Sequence, residues 1–308
     1  MGGVLNRLGV DFGDKLFQAQ QGVNEKGFWE HGPIVNCHNE LLLNLGSSWD
    51  DPRPLPEGWQ DLGEIQTFRR HLRNIVTRDF EKSPLWGMKD PRMCRLLPLW
   101  KDIFETLPVN PKYLIMVRNP LEVAASLAKR DGFSLDKALF LWWQHQALAE
   151  LGTRGYTRIF VAYQDLLHQP ENTVARICAK FELPLSRNAI PAITAFLAPS
   201  LRHHKDLSFE GGSKVVTEVE TAYRVSMRAA SLEAHKEPLE EIREQTEAFF
   251  AHYRSLNPIL LEHMAIMARE AREAHRLYRK YYDCFAVKIA KRFCILGNYL
   301  KSMLVARD

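Results

Sequence analysis

Twice in this chain a stretch that reads as a buried β-strand ends on a basic residue, then passes through a short polar residue and a proline into a helical pattern. The two stretches are Met88-Lys89-Asp90-Pro91-Arg92 and Val117-Arg118-Asn119-Pro120-Leu121. Asp and Asn accept hydrogen bonds from the free N–H groups of a first helical turn, and proline suits the first helical position because it lacks the N–H that would go unbonded there. Each corner thus sets a permanent cation beside a helix start, where the backbone already favours an anion. Strand ends of this kind are where open α/β sheets bind ligands. Two such corners suit a ligand with more than one anionic group. Taken singly, each is equally compatible with a solvated ion pair at an ordinary helix start.

The surrounding pattern agrees with an α/β chain. Leu85–Met88, Tyr113–Val117 and Ile159–Tyr163 are short apolar runs, and the last two are continuously apolar, as strands covered on both faces should be. Helical periodicity follows each, over Pro91–Phe104, Pro120–Ala128 and Pro170–Phe181, with a further Trp-, Leu- and Ala-rich helix predicted over Leu135–Leu151. Residues 50–58 carry three prolines and read as a loop. The expected architecture is a mainly parallel sheet flanked by helices over residues 1–210. Gly211-Gly212-Ser213 reads as a hinge, and residues 211–308 as an α-helical extension divided by Pro238 and Asn257-Pro258 into three helices.

Charge narrows the function classes. The net charge is +4, but residues 276–308 hold eight Lys/Arg against two Asp, which leaves the preceding 275 residues at −2. A nucleic-acid binder should carry its basic footprint on the folded domain, so none is expected here. Five scattered cysteines without a CxxC pair disfavour a disulfide framework and a zinc site and suit a reducing cytoplasm. No metal is expected: there is no HExxH spacing, and the adjacent His203 and His204 are poor joint ligands. The longest apolar run is too short to cross a bilayer, and the first residues lack the layout of a secretory signal. In the tail, Phe285, Ile289, Phe293, Leu296, Leu300, Met303 and Leu304 recur at helical spacing among Lys288, Lys291, Arg292 and Lys301. This stripe fits packing on neighbouring helices or a second subunit, and also fits peripheral contact with an anionic membrane through 276–308.

Four stretches together resemble the bacterial, carbohydrate-sulfotransferase-like members of the family that uses 3′-phosphoadenosine 5′-phosphosulfate (PAPS). They are Asn24–Glu30 with its Gly27-Phe28-Trp29-Glu30, Trp86–Arg92, Val117–Leu127, and Val161–Leu167 followed by Pro170. The likeness covers the chain to about residue 205. It implies a P-loop-like sulfotransferase fold and PAPS as cosubstrate, with a carbohydrate or glycolipid hydroxyl as acceptor. It makes Arg118 and Ser126 ligands of the 3′-phosphate, to which guanidinium offers a planar fork and the hydroxyl a further donor. Lys89 would stabilise charge on the sulfuryl group and leaving oxygen. Glu30, beside the desolvating rings of Phe28 and Trp29, would be the general base. Tyr163 would border adenine, and Arg202 would complete the cosubstrate set. The residues themselves leave other readings open: a loop carboxylate for Glu30, a helix-packing residue for Ser126, a core ring for Tyr163, a simple cap for Asp90.

The sequence also departs from this family. Its glycine- and Ser/Thr-rich loop for the 5′-phosphosulfate is not found, and Met1–Val10 reads as the helix that should follow that loop, so the first strand is expected to be lacking. The alternative to an active transferase is an impaired relative that binds nucleotide, or contacts a membrane, without turnover. No GxxxxGK[ST] occurs, which argues against a P-loop kinase.

Overall fold

A computed structural model describes residues 1–19, 26–197, 209, 214–231, 238–255 and a few helical positions between 266 and 277. Two compact units are defined, Met1–Ser255 and Leu256–Asp308. The first holds all the elements named below; in the second, the described residues are helical.

The sheet is small. β1 (Tyr113–Val117) and β2 (Arg158–Ala162) pair in parallel, with Tyr113 opposite Arg158 and Val117 opposite Ala162. Both are five-residue apolar runs, and both faces are covered. Ile115, Val117, Phe160 and Ala162 pack against Val225 and Ala229 of α10 (Lys214–Ala230). The alternate residues Leu114, Met116, Ile159 and Val161 meet Ile177 and Phe181 of α8 (Pro170–Phe181). Period-two alternation therefore sends one set of side chains to each helical layer. The outer edge of β2 is closed by the Arg176 guanidinium of α8, which donates to the Phe160 carbonyl.

Helices dominate the rest: there are eleven α-helices among the described residues. α1 (Gly2–Arg7) precedes a second cluster built from α2 (Gly32–Asn44), α3 (Ile65–Phe80) and α4 (Met93–Glu105). In α3, Ile65, Leu72, Ile75, Val76 and Phe80 fall on one helical face and join Leu41, Leu96 and Trp100 in its core. α5 (Pro120–Asp131) follows β1, and α6 (Leu135–Thr153) follows α5. α6 contacts α4, α5, α10 and α11 (Leu239–Ser255), which explains why Trp142, Trp143 and the leucines around them leave it no broad polar face. α7 (Tyr163–His168) and α9 (Ala189–Phe196) complete the first unit.

Several sequence expectations are corrected in detail. Leu85–Met88 forms a single parallel bridge, Asp11 to Trp86, in place of a full strand. α4 starts at Met93, so Pro91 lies in the turn ahead of it. Tyr163 opens α7, where the sequence reads as a strand end. α10 packs on the sheet and α11 on α6, and both belong to the compact unit Met1–Ser255. The proposed hinge and the amphipathic stripe of 285–304 lie outside the described residues. No helix among the described residues is long and apolar enough to cross a membrane.

One half-buried histidine in α6 gives the fold an acid sensitivity. His145 Nδ1 lies 2.7 Å from the Leu141 carbonyl, and burial pushes its pKa down to about 4. Folding thus favours neutral His145: its contribution is complete above the unfolded value near 6.5 and is lost as the pH falls toward 4. Urea unfolding is expected to lose on the order of 2 kcal/mol between about pH 6.5 and 4.5. His145→Gln should flatten that slope; an unchanged slope would contradict the assignment.

Candidate functional site

The structure brings Glu30 and Lys89 together across 59 residues of sequence. Lys89 Nζ donates to Glu30 Oε1 in a short ion pair, with the Lys89 side chain 41% exposed and that of Glu30 only 10%. Glu30 is therefore a buried carboxylate held by a cation that solvent can still reach. Its neighbour Trp29 has φ +58°, in the left-handed region that an aromatic residue rarely enters. The indole is fixed there by its N–H, which donates to the Lys26 carbonyl at 2.9 Å, and by an edge-on contact with Phe12. Backbone strain of this kind is held only where surrounding packing enforces it. The first turn of α1 closes the same corner: a Cβ on Gly2 would stand 2.5 Å from Trp29 Cβ, so only glycine allows the approach. The Met1 amino group is buried there as well; burial first, and then the charge of Lys89, push it down to about 6.

Behind Lys89 stands a buried polar relay. Asp90 Oδ1 accepts from the Arg92 N–H and from Arg92 Nη1, each at 2.9 Å. Its other oxygen lies 2.6 Å from His38 Nδ1. Trp100 Nε1–H, a donor only, reaches His38 Nε2 at 2.8 Å. Nε2 must therefore accept, and Nδ1 carries the proton that His38 gives to Asp90. Burial would raise the Asp90 carboxyl, but the hydrogen bond from His38, with the charge and backbone N–H of Arg92, outweighs it and holds it below the usual carboxylate range. Asp90 is thus more than the simple cap that the sequence suggests. Asp90→Ala would strand the donors of His38 and Arg92, and unfolding should become easier by about 2–3 kcal/mol. Adding His38→Ala to that variant should cost much less than His38→Ala alone; strict additivity in denaturation would count against a shared network.

The second corner is built as its residues predict. Asn119 caps α5 by accepting from the Leu121 N–H at 2.9 Å, and Pro120 takes the first helical position. The Arg118 guanidinium lies over the Tyr163 ring, 4.8 Å from its centre, and its Nε is 3.3 Å from Oε2 of the buried Glu122. The Arg118 carbonyl accepts from Trp142 Nε1 at 3.0 Å, which ties the strand end to α6. Glu122 and Ser126 lie one turn apart on α5, the first buried and the second exposed, while Arg118 precedes the helix at the end of β1. Tyr163 is half-buried under the cation. Arg202 lies outside the described residues.

The fold thus brings two pairs of the candidate residues together, Glu30 with Lys89 and Tyr163 with Arg118. The sequence reading missed Glu122, whose four-residue spacing from Arg118 was visible, and His38 and Trp100, whose link to Asp90 only the fold creates. Among the described residues no group of His, Cys, Asp and Glu could hold a metal ion. No family model matches the chain, and no curated protein or solved structure was found to be similar to it.

Proposed function

We propose that this chain is a PAPS-dependent sulfotransferase on a P-loop-like α/β fold, moving a sulfuryl group to a carbohydrate or glycolipid hydroxyl. The observation that carries the reading is the Glu30–Lys89 pair: a buried carboxylate and a reachable ammonium, joined by the fold just past the Asp11–Trp86 bridge. In the transfer, the acceptor oxygen attacks sulfur while the bond from sulfur to the 5′-phosphate oxygen breaks. The hydroxyl proton passes to Glu30, and Lys89 offsets the charge that gathers on the leaving oxygen. The products are a sulfate ester and adenosine 3′,5′-bisphosphate. Positioning and charge stabilisation supply the acceleration, as they do for phosphoryl groups.

The residues present fit the 3′-phosphate end of PAPS better than the other. Arg118 is planar, partly exposed and steadied by Tyr163, and Ser126 is exposed on the helix that follows it. The cost is competition, since Glu122 already shares the guanidinium. At the 5′-phosphosulfate end the described residues offer Lys89. Incubation with sulfur-labelled PAPS and a panel of oligosaccharides and glycolipids tests the proposal. Label transferred to an acceptor hydroxyl is expected. Absence of transfer together with tight adenosine 3′,5′-bisphosphate binding would favour the second reading, a nucleotide-binding module without turnover, to which the carboxylate partners of both cations also lend support.

A further inference from the structure

Three pieces of the chain meet at Phe196: α1, the segment Lys26–Trp29, and α9. α1 packs on α9 through Val4, Leu8 and Ile193. A Cβ on Gly3 would stand 2.5 Å from Phe196 Cζ and 3.0 Å from Trp29 Nε1, so the segment and α9 close on the same point of α1. None of the three carries an acidic residue, and between them they carry two cations, Arg7 and Lys26.

Both cations gather on the Phe196 ring. The Arg7 guanidinium lies 3.9 Å from the ring centre and the Lys26 ammonium 5.0 Å from it, which sets the two charges within about 9 Å of each other. Each is held by a neutral group: Arg7 Nη1 donates to the Gly3 carbonyl at 2.8 Å, and Lys26 Nζ to the Phe196 carbonyl at 2.5 Å. Among the described residues neither has a carboxylate partner, in contrast to Lys89 with Glu30 and Arg118 with Glu122. Each keeps N–H donors for a further acceptor. A structural clamp on the ring needs one cation. Two like charges at about a Debye length repel each other, and an anion between them offsets that repulsion.

The patch borders the candidate catalytic pair through a single aromatic residue. The Trp29 indole N–H donates to the Lys26 carbonyl, and Glu30 follows Trp29 directly. Phe28, Trp29 and Phe196 are all half-buried, so aromatic surface adjoins the charges.

We propose that Arg7 and Lys26 form an anion subsite for the acceptor, selecting a saccharide that already carries a carboxylate or a sulfate ester. The acidic group takes N–H donors from both cations, and the apolar faces of the sugar rest on the neighbouring rings. The proposal rests on the transferase reading for the acceptor's place beside Glu30, but its first test needs no transfer.

Calorimetric titration of the full chain without PAPS compares a glucuronate-containing tetrasaccharide, its counterpart with the carboxyl groups reduced to alcohols, and that reduced form bearing sulfate esters. At least one acidic probe should bind about tenfold more tightly than the neutral one, as charge-assisted contacts at a partly exposed site allow. Which probe it is names the group, and added salt should shrink the margin. Arg7→Gln combined with Lys26→Gln should bring the affinities within about twofold of one another. Arg7→Lys combined with Lys26→Arg keeps both charges and should restore the order. Equal affinity of the wild type for all the probes, binding of none, or an unchanged preference in the double glutamine variant would each overturn the subsite. Label transfer from PAPS is read separately. Acidic preference without transfer would count against the transferase reading alone, and transfer without preference against the subsite alone.

Discussion

Glu30→Gln is expected to lower kcat for sulfuryl transfer by about 100- to 10,000-fold, the range that a positioned general base contributes. The change is close to isosteric, and the amide oxygen can still accept from Lys89, so the corner should keep its shape. KM for PAPS should therefore hardly move, which marks the loss as one of the chemical step. Steady-state rates over a range of PAPS concentrations check both points. A variant within threefold of wild type would show that another group takes the proton.

Lys89→Met should remove about 100- to 1,000-fold from kcat, as losing one well-placed charge stabiliser does elsewhere. Methionine keeps an apolar stem where the lysine stem packed, so the loss would belong to the charge. The same variant strands Glu30 in a buried place without its partner, and stability should fall too. The double variant Glu30→Gln with Lys89→Met separates the effects, because it removes both halves of the pair. It should recover most of the stability seen in urea and none of the activity. Recovery of activity along with stability would mean that Lys89 only balances Glu30.

Much of this arrangement was legible in the sequence because it is local. The Asn119-Pro120 helix start, the four-residue series Arg118, Glu122, Ser126, and the apolar runs of β1 and β2 each depend on neighbours within a turn or a strand. Pro170–Phe181 begins and ends as expected for the same reason. What the sequence could not show depends on distant contact. His38 reaches Asp90 across 52 residues and Trp100 reaches His38 across 62, and neither spacing carries a period. That relay also explains why α4 begins late. Asp90 spends one oxygen on the Arg92 N–H and the other on His38, which holds Pro91 and Arg92 in a turn until Met93. Leu85–Met88 misled for a different reason. Its residues suit a strand, but one of its edges meets only Asp11 and the other meets a cavity, so the ladder stops at a single bridge. Tyr163 serves two neighbours that sequence alone does not join: it packs against the cluster around Leu166 and Val174, and its ring lies under the Arg118 cation.

The two corners give the reading its sharpest consequence. If Arg118 and Ser126 hold a 3′-phosphate, the chain must distinguish nucleotides by that group alone. Calorimetric titration of the full chain with adenosine 3′,5′-bisphosphate and with adenosine 5′-monophosphate measures this directly. A charge-assisted contact to a partly exposed guanidinium is worth about 1.5–3 kcal/mol, so the bisphosphate should bind at least about tenfold more tightly. Arg118→Gln should erase the difference while leaving the weaker nucleotide unaffected. Equal affinity for the two nucleotides, or no heat from either at millimolar concentration, would contradict the account.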